Sequence, residues 1–239
     1  MALTHSVDGL RLRQDGPLLT ATLDAPGGNQ MTAAMCDALI AILSDPPADA
    51  HVLLLEARGS AFCLGRERSA ASSQTLPLEV ARLVEVNSSL ARTRLVTVAR
   101  VHGDAAGFGA GLAALADVAV AVEGAEIWFP EVGLGLAPTL VLAWLGRMVG
   151  RREAFWLTAT GEHISAARAG QLGLLNEVVA DENALDQAVQ RRVQTLLSAP
   201  MRVHAEIRSM LRSAAELSFE QANELAAERL VIGSLRLAR

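Results

Sequence analysis

With 239 residues, 51% hydrophobic and 20% charged, the chain can bury a full core as one large domain or as a domain with a helical appendage. A net charge of −5 and a pI near 5.6 argue against a nucleic-acid or anionic-membrane surface, which needs clustered positive charge. All 21 basic residues are arginine and tyrosine is absent, which excludes Schiff-base lysine, a phosphate-loop lysine and a Tyr/Lys acid–base pair, so proton transfer falls to Asp, Glu, His or Cys.

In chain order, residues 7–13 and 17–24 read as two strands around the hairpin signal Asp15-Gly16. Pro26-Gly27-Gly28-Asn29 breaks the chain, and Thr32 caps an expected helix through Ser44 with Met35, Leu39 and Ile42 on one face. Asp45-Pro46-Pro47 stops it. His51 to Ala57, HVLLLEA, has the apolar density of a buried strand and is followed by a glycine turn, Gly59 to Gly65. The small polar run from Arg68 to Thr75 suggests a mobile surface loop, and Leu78 to Thr93 has helical periodicity.

Leu95 to His102 reads as a second buried strand. It runs into the glycine-dense turn Gly103 to Gly111 and then an Ala/Leu helix. A short strand is expected at Glu126 to Phe129, then the turn PEVGLGLAP, helices over Thr139–Met148, Arg151–Thr160 and Ser165–Ala169, and a strand over Leu174–Val179. After Asp181 the pattern is helical only: 183–198, 201–214 after the break at Pro200, and 218–232. A layered α/β core over 1–182 and a helical C-terminal region over 183–239 follow.

Glycines at 107, 109 and 111 admit two readings. They let a helix and a strand pack closely, or they form a turn whose free N–H groups hold negative charge. The spacing G-F-G-A-G lacks the third glycine of a dinucleotide fingerprint, and no Lys-Ser/Thr follows as a phosphate loop requires. Two such turns, each after a buried strand, can aim one N–H apiece at a common point, which is the construction of an oxyanion hole. Glu131 follows an apolar strand and is flanked by Trp128, Phe129 and Val132, surroundings expected to suit a base by desolvation; the bland alternative is a solvated strand-end carboxylate.

Other polar candidates carry less. Asp104 and His102 fit turn and strand-end roles, and Glu67 either reaches the site or forms a surface ion pair. Cys63 reads as packing, with no adjacent His and no G-x-S-x-G. Cys36 and Cys63 lack partners at zinc-ligand spacing, so no metal site is expected, and two unpaired thiols suit a reducing compartment. The N-terminal stretch has no apolar run fit for a signal peptide and no later run reaches spanning length, so the expected location is cytoplasmic.

Five segments in order resemble the crotonase, or enoyl-CoA hydratase/isomerase, family: NQMT at 29–32, AFCLGR at 61–66, VHGDAAGFGAGLAALAD at 101–117, FPEVGLG at 129–135 and LTATGEHISAARAGQLGLLNEVV at 157–179. The resemblance implies a repeated ββα spiral core and an acyl-CoA thioester substrate, with CoA as part of that substrate and no separate cofactor. It implies that Arg66 and Phe108 donate the oxyanion-hole N–H groups and that Glu131 is the acid/base. Ala61, Cys63, Gly65, Gly107 and Gly111 are the expected substrate-binding positions. The family usually has glycine where Phe108 stands, and its two-carboxylate hydratases have a second Glu where this chain has Gly111. One carboxylate suits shuttling a proton between two carbons, so double-bond isomerisation stands beside hydration. Hydrolysis, decarboxylation, a lyase reaction or non-catalytic acyl-CoA binding are alternatives on the same scaffold. With lysine absent, Arg66, Arg68 and Arg212 are the candidates for the CoA phosphates. The resemblance also implies a trimer or a dimer of trimers.

Overall fold

Leu10 and Leu12 alternate with Arg11 and Arg13, and the buried-exposed period of two continues through buried Gln14 and exposed Asp15, so this segment forms strand β2 (Leu10–Asp15). In the computed structural model, which describes residues 4–68 and 74–237, β2 pairs antiparallel with β1 (Thr4–Val7) and with β3 (Leu18–Leu23). The span expected as one strand over 7–13 is therefore split. Gly9, at φ +81°, turns the chain between β1 and β2, a second hairpin that the Asp15-Gly16 signal overshadowed.

A short helical turn, α1 (Pro26–Asn29), leads to α2 (Ala33–Ser44), whose cap is Thr32: its hydroxyl accepts from Met35 N–H at 3.2 Å. The chain then repeats a unit of two strands and a helix. The first unit is β4 (Val52–Ala57), β5 (Ala61–Cys63) and α3 (Leu76–Arg92); the second is β6 (Val96–Val101), β7 (Asp104–Ala106) and α4 (Phe108–Ala114). The third has β8 (Val118–Val122) and β9 (Glu126–Trp128), then a 3-10 turn (Pro130–Leu134) and helices α5 (Thr139–Val149) and α6 (Arg151–Thr160). β10 (Ile164–Ser165), α7 (Ala166–Gln171), β11 (Glu177–Val179) and α8 (Glu182–Ser198) follow.

In each unit the first strand joins one sheet and the second joins another. The larger sheet has the order β1-β2-β3-β4-β6-β8-β11, parallel from β3 onward, and the smaller is β10-β9-β7-β5, with β5, β7 and β9 parallel. The chain winds through both, giving the ββα spiral. The expected Ala/Leu helix ends at Ala114; Val118–Val122, not anticipated as a strand, lies in the larger sheet between β6 and β11. The segment expected between 68 and 75 falls largely on residues 69–73, outside the described residues.

Both faces of the larger sheet are covered, which explains continuous apolar strands such as VLLLEA. Leu53 and Leu55 face the main core with Phe62, Phe129 and Met35, while Val52 and Leu54 face Leu185, Ala188, Val189 and Val193 of α8. Arg100 on β6 also donates to Asp186 and Glu182 of α8, but both carboxylates are about two-thirds exposed. Such pairs contribute at most about 1 kcal/mol, whereas each fully buried Leu or Val is worth about 1.5–3 kcal/mol, so the apolar stripe holds α8.

The chain divides into two compact units, Met1–Ser198 and Ala199–Arg239. The sheet buries an apolar stripe of α8, so the first unit runs one helix past the expected 182/183 division. The second unit contains α9 (Met201–Ala214) and α10 (Phe219–Leu237). Among the described residues no helix is long and apolar enough to cross a membrane.

Candidate active site

The residues singled out around 66, 108 and 131 lie just beyond the C-terminal ends of three neighbouring strands. β5 pairs with β7 through Ala61–Asp104 and Cys63–Ala105, and β7 pairs with β9 through Ala105–Ile127 and Ala106–Trp128. The ends of parallel strands are where backbone groups are released from pairing, and ligands in open α/β sheets collect there.

Asn29 fixes the first of these segments. It sits at φ +58° with its side chain buried, accepting from Ala25 N–H at 2.8 Å and donating to Arg58 O at 2.7 Å and Ala61 O at 2.8 Å. Next to it, Leu64 N–H donates to Gly28 O, Met31 N–H to Gly65 O and Glu67 N–H to Met31 O. The Met31–Arg66 bridge uses the groups on either side of Arg66, so Arg66 N–H, across its planar peptide from Gly65 O, points away from Met31.

The second segment depends on close approach. An ideal Cβ on Gly109 would lie 2.0 Å from Cys63 O, so any larger residue would force α4 away from β5. Gly107, at φ +50° and ψ −117°, turns β7 into α4, and Phe108 is the first residue of that helix. An N–H in a helix's first turn has no intrahelical acceptor, and no side chain caps this one. Gly107 N–H itself donates to Trp128 O at 2.9 Å, tying the turn to β9.

Glu131 follows Pro130 in the 3-10 turn and folds back onto Gly107, where an ideal Cβ would be 3.0 Å from Glu131 Oε1. Its Oε2 is buried with no hydrogen-bond partner among the described residues. Gly65, Arg66, Gly107, Phe108, Gly111 and Glu131 all line one cavity of about 430 Å³. Leu64, Val80, Leu83, Leu134, Val141 and Trp144 give it a mostly apolar wall.

Other expected positions fall elsewhere. Ala61 and Cys63 are buried in β5 and do not line this cavity; Ala61 O is taken by Asn29 and the Cys63 thiol donates to Gly65 O at 3.4 Å. Burial pushes the Cys63 thiol up to about 12, so it is neutral and unreactive at ordinary pH. Glu67 opens onto a separate cavity of about 70 Å³. Asp104 accepts from Glu126 N–H at 2.9 Å, and the His102 ring nitrogen Nε2 lies 2.9 Å from Gly59 O, so both serve the turns. Among the arginines, Arg68 is exposed on the cavity lining and Arg66 reaches to 3.9 Å from Glu79, while Arg212 lies on α9 of the second unit.

Two cavity residues were not foreseen. Trp144 of α5 stands over Gly111, 3.4 Å from where a Cβ would be, and makes an edge contact with Phe129 at a centroid separation of 6.3 Å. Asn87 of α3 shares a helical stripe with Val80 and Leu83, a pattern that from sequence reads only as a partly polar face. Among the described residues, no three His, Cys, Asp or Glu side chains converge in a way that could hold a metal ion.

The sequence model described as enoyl-CoA hydratase/isomerase matches residues 14–234. The chain belongs to this family. A Rhodobacter capsulatus protein named "Probable enoyl-CoA hydratase" is 34% identical over 69% of this chain and 66% of its own length, just under two thirds. A carnitinyl-CoA dehydratase of Salmonella arizonae is 28% identical over 90% of this chain and 84% of that protein. Among solved structures, an enoyl-CoA hydratase of Mycobacterium smegmatis superposes with a TM-score of 0.88 at 29% identity, covering 95% of this chain and 91% of that one. A Thermobifida fusca structure in complex with CoA gives 0.87 at 29% identity, over 96% and 94%. The two-sheet spiral is thus the crotonase fold that the five motifs pointed to.

Proposed function

We propose that this member of the enoyl-CoA hydratase/isomerase family binds an acyl-CoA thioester and moves a proton on its acyl chain through Glu131. The observation that carries this reading is the carboxylate of Glu131 lying against Gly107, the residue before the start of α4, with one oxygen buried and without a hydrogen-bond partner among the described residues, on the lining of a mostly apolar cavity that Phe108 also lines. Arg66 N–H and Phe108 N–H hydrogen-bond the thioester oxygen and stabilise the enolate that forms when Cα loses its proton. The CoA complex of the Thermobifida fusca relative supports the ligand class. Exposed Arg68 is a candidate for the CoA phosphates, as a cation on the cavity lining.

With glycine at 111 under Trp144, Glu131 is the only carboxylate on the cavity lining among the described residues. That supports a single-base reaction: Glu131 takes a proton from C2 of a 3-enoyl thioester, the C–H electron pair forms C1=C2 as the carbonyl pair moves onto the thioester oxygen, and when this dienolate collapses C1=O re-forms, the C1=C2 pair becomes C2=C3 and the C3=C4 pair takes a proton at C4 from the same carboxyl. Glu131→Gln is expected to cut isomerisation of a 3-enoyl-CoA by about a hundredfold or more, with CoA-thioester binding retained. Deuterium incorporation at C2 and C4 in heavy water, read by mass spectrometry, should fall in parallel. Unchanged turnover in this variant overturns the assignment.

A further inference from the structure

The proton-transfer reading leaves the Trp144 indole N–H without a role. Val141 and Leu145 on the same helix are buried and apolar, and a phenylalanine at 144 would supply the same apolar wall and an edge contact with Phe129. What the indole adds is one donor that cannot accept. Trp144 is half-buried and its Nε1 has no hydrogen-bond partner among the described residues, yet it is not one of the atoms buried without a partner, so it keeps accessible surface. The edge of the ring that carries it faces Gly111: Cζ2, Cε2 and Nε1 lie 3.4, 3.9 and 4.0 Å from the ideal Cβ position there. Gly111 and Trp144 both line the acyl cavity, which places that surface on it. The distance from the reacting carbons follows from the helix. Gly111 N–H donates to Gly107 O at 3.1 Å, and Glu131 Oε1 lies 3.0 Å from the ideal Cβ of Gly107. The carboxylate and the indole N–H are thus held against points one helical turn apart along α4, about 5.4 Å of rise.

We propose that Trp144 is a specificity residue whose indole N–H donates to a second carbonyl oxygen on the acyl chain, so that the substrate is an oxo-acyl thioester. A carbonyl is the matching group because it only accepts and brings no proton of its own into an apolar pocket. A plain hydrocarbon chain displaces water from the N–H and leaves it unpaired, the asymmetry by which a site built to hydrogen-bond rejects an analogue lacking the group. An extended chain advances about 3.3–3.6 Å per three bonds, so the second carbonyl lies within about five bonds of the thioester carbon. This rests on the acyl-CoA reading, but its test needs no turnover.

The probes are heptanoyl-CoA and its 3-oxo, 4-oxo, 5-oxo and 6-oxo forms, which walk the carbonyl along one chain length in a cavity of about 430 Å³. Their binding to the whole protein is measured by calorimetry. At least one oxo form should bind about tenfold or more tightly than heptanoyl-CoA, as expected for one donor left unpaired. Trp144→Phe, which keeps the ring and loses the N–H, should bring that form down to the level of heptanoyl-CoA. A second readout needs no variant at 144: the chain has three tryptophans, so Trp128→Phe and Trp156→Phe assign the Trp144 indole N–H resonance by elimination. That proton should move downfield with the preferred oxo form and not with heptanoyl-CoA. Equal binding of all the thioesters, a Trp144 N–H that responds alike to both kinds, or a preference undiminished in a folded Trp144→Phe overturns the proposal. Loss of turnover in Glu131→Gln together with equal binding refutes the role of Trp144 alone; a protein that binds neither kind of thioester refutes both readings.

Discussion

Gly111 and Trp144 explain each other. Gly111 has an ordinary helical backbone, so a side chain is not excluded by strain, and an ideal Cβ would touch the indole at 3.4 Å, an ordinary contact. Alanine fits there, whereas glutamate has to run into the Trp144 ring. Gly111→Glu alone is therefore expected to give no new hydration, while Gly111→Glu with Trp144→Ala should hydrate a short 2-enoyl-CoA measurably, because two carboxyl groups can then hold and activate a water. Loss of conjugated-thioester absorbance follows it, and a folded double variant that binds the thioester without hydrating it would remove Gly111 from the acyl pocket's reactive end. The thiols give a second residue-level expectation. Burial pushes Cys63 up to about 12 and Cys36 to about 11, both above the unfolded value of 9.0. Their neutral forms favour the fold, so the contribution is fully present below about pH 9 and is lost as pH rises from there toward 11 and 12. The urea midpoint should fall across that window, and replacing both thiols with alanine should flatten the fall; an unaltered pH profile in the double variant would contradict it.

At the level of elements, the turn α1 determines where Arg66 stands. Asn29 serves three backbone groups at once, so Asn29→Ala removes an acceptor from Ala25 and donors from Arg58 O and Ala61 O in the interior. Each buried group left unpaired costs about 1–3 kcal/mol, so the variant is expected to lose at least about 2 kcal/mol in denaturant unfolding. If it remains folded, turnover should drop more than thioester affinity, because the segment bearing Arg66 loses its anchor; wild-type stability would show that the clamp is dispensable. The sequence made much of this region legible: NQMT, the two glycine turns and FPEVGLG mark the segments that converge. It hid the short strands inside the turns, since three residues of β5 or β7 are too few to show a period of two. β8 was masked differently. Ala and Val in ADVAVAV extend the apolar run of α4, and only the pairing of Val118–Val122 with β6 and β11 decides strand over helix. Asn87 and Trp144 could not be assigned because their meaning is long-range: what each faces depends on α3 and α5 meeting the same cavity.

For the molecule as a whole, the second unit exposes more apolar surface than a chain free in water usually presents. Ile207 and Leu211 on α9, and Phe219, Leu230, Val231, Ile232 and Leu235 on α10, are each at least half exposed. Scattered apolar residues need no explanation, but seven on two helices form the kind of surface that association covers. The family resemblance implies a trimer or a dimer of trimers, and closed symmetry would bury these side chains without leaving an open edge for further growth. Light scattering should accordingly give a mass near three or six times the 25.2 kDa chain at micromolar concentration. Leu211→Asp and Leu230→Asp each place a charge on an exposed apolar position, so neither creates a core cavity, and each should shift the population toward smaller species while leaving the spectrum of the folded chain intact. If the wild type is a stable, active monomer at that concentration, these side chains are not an interface. If the aspartate variants keep the wild-type mass, the contacts between copies lie on other surfaces, of which the exposed Phe155 and Trp156 of α6 are the next to substitute.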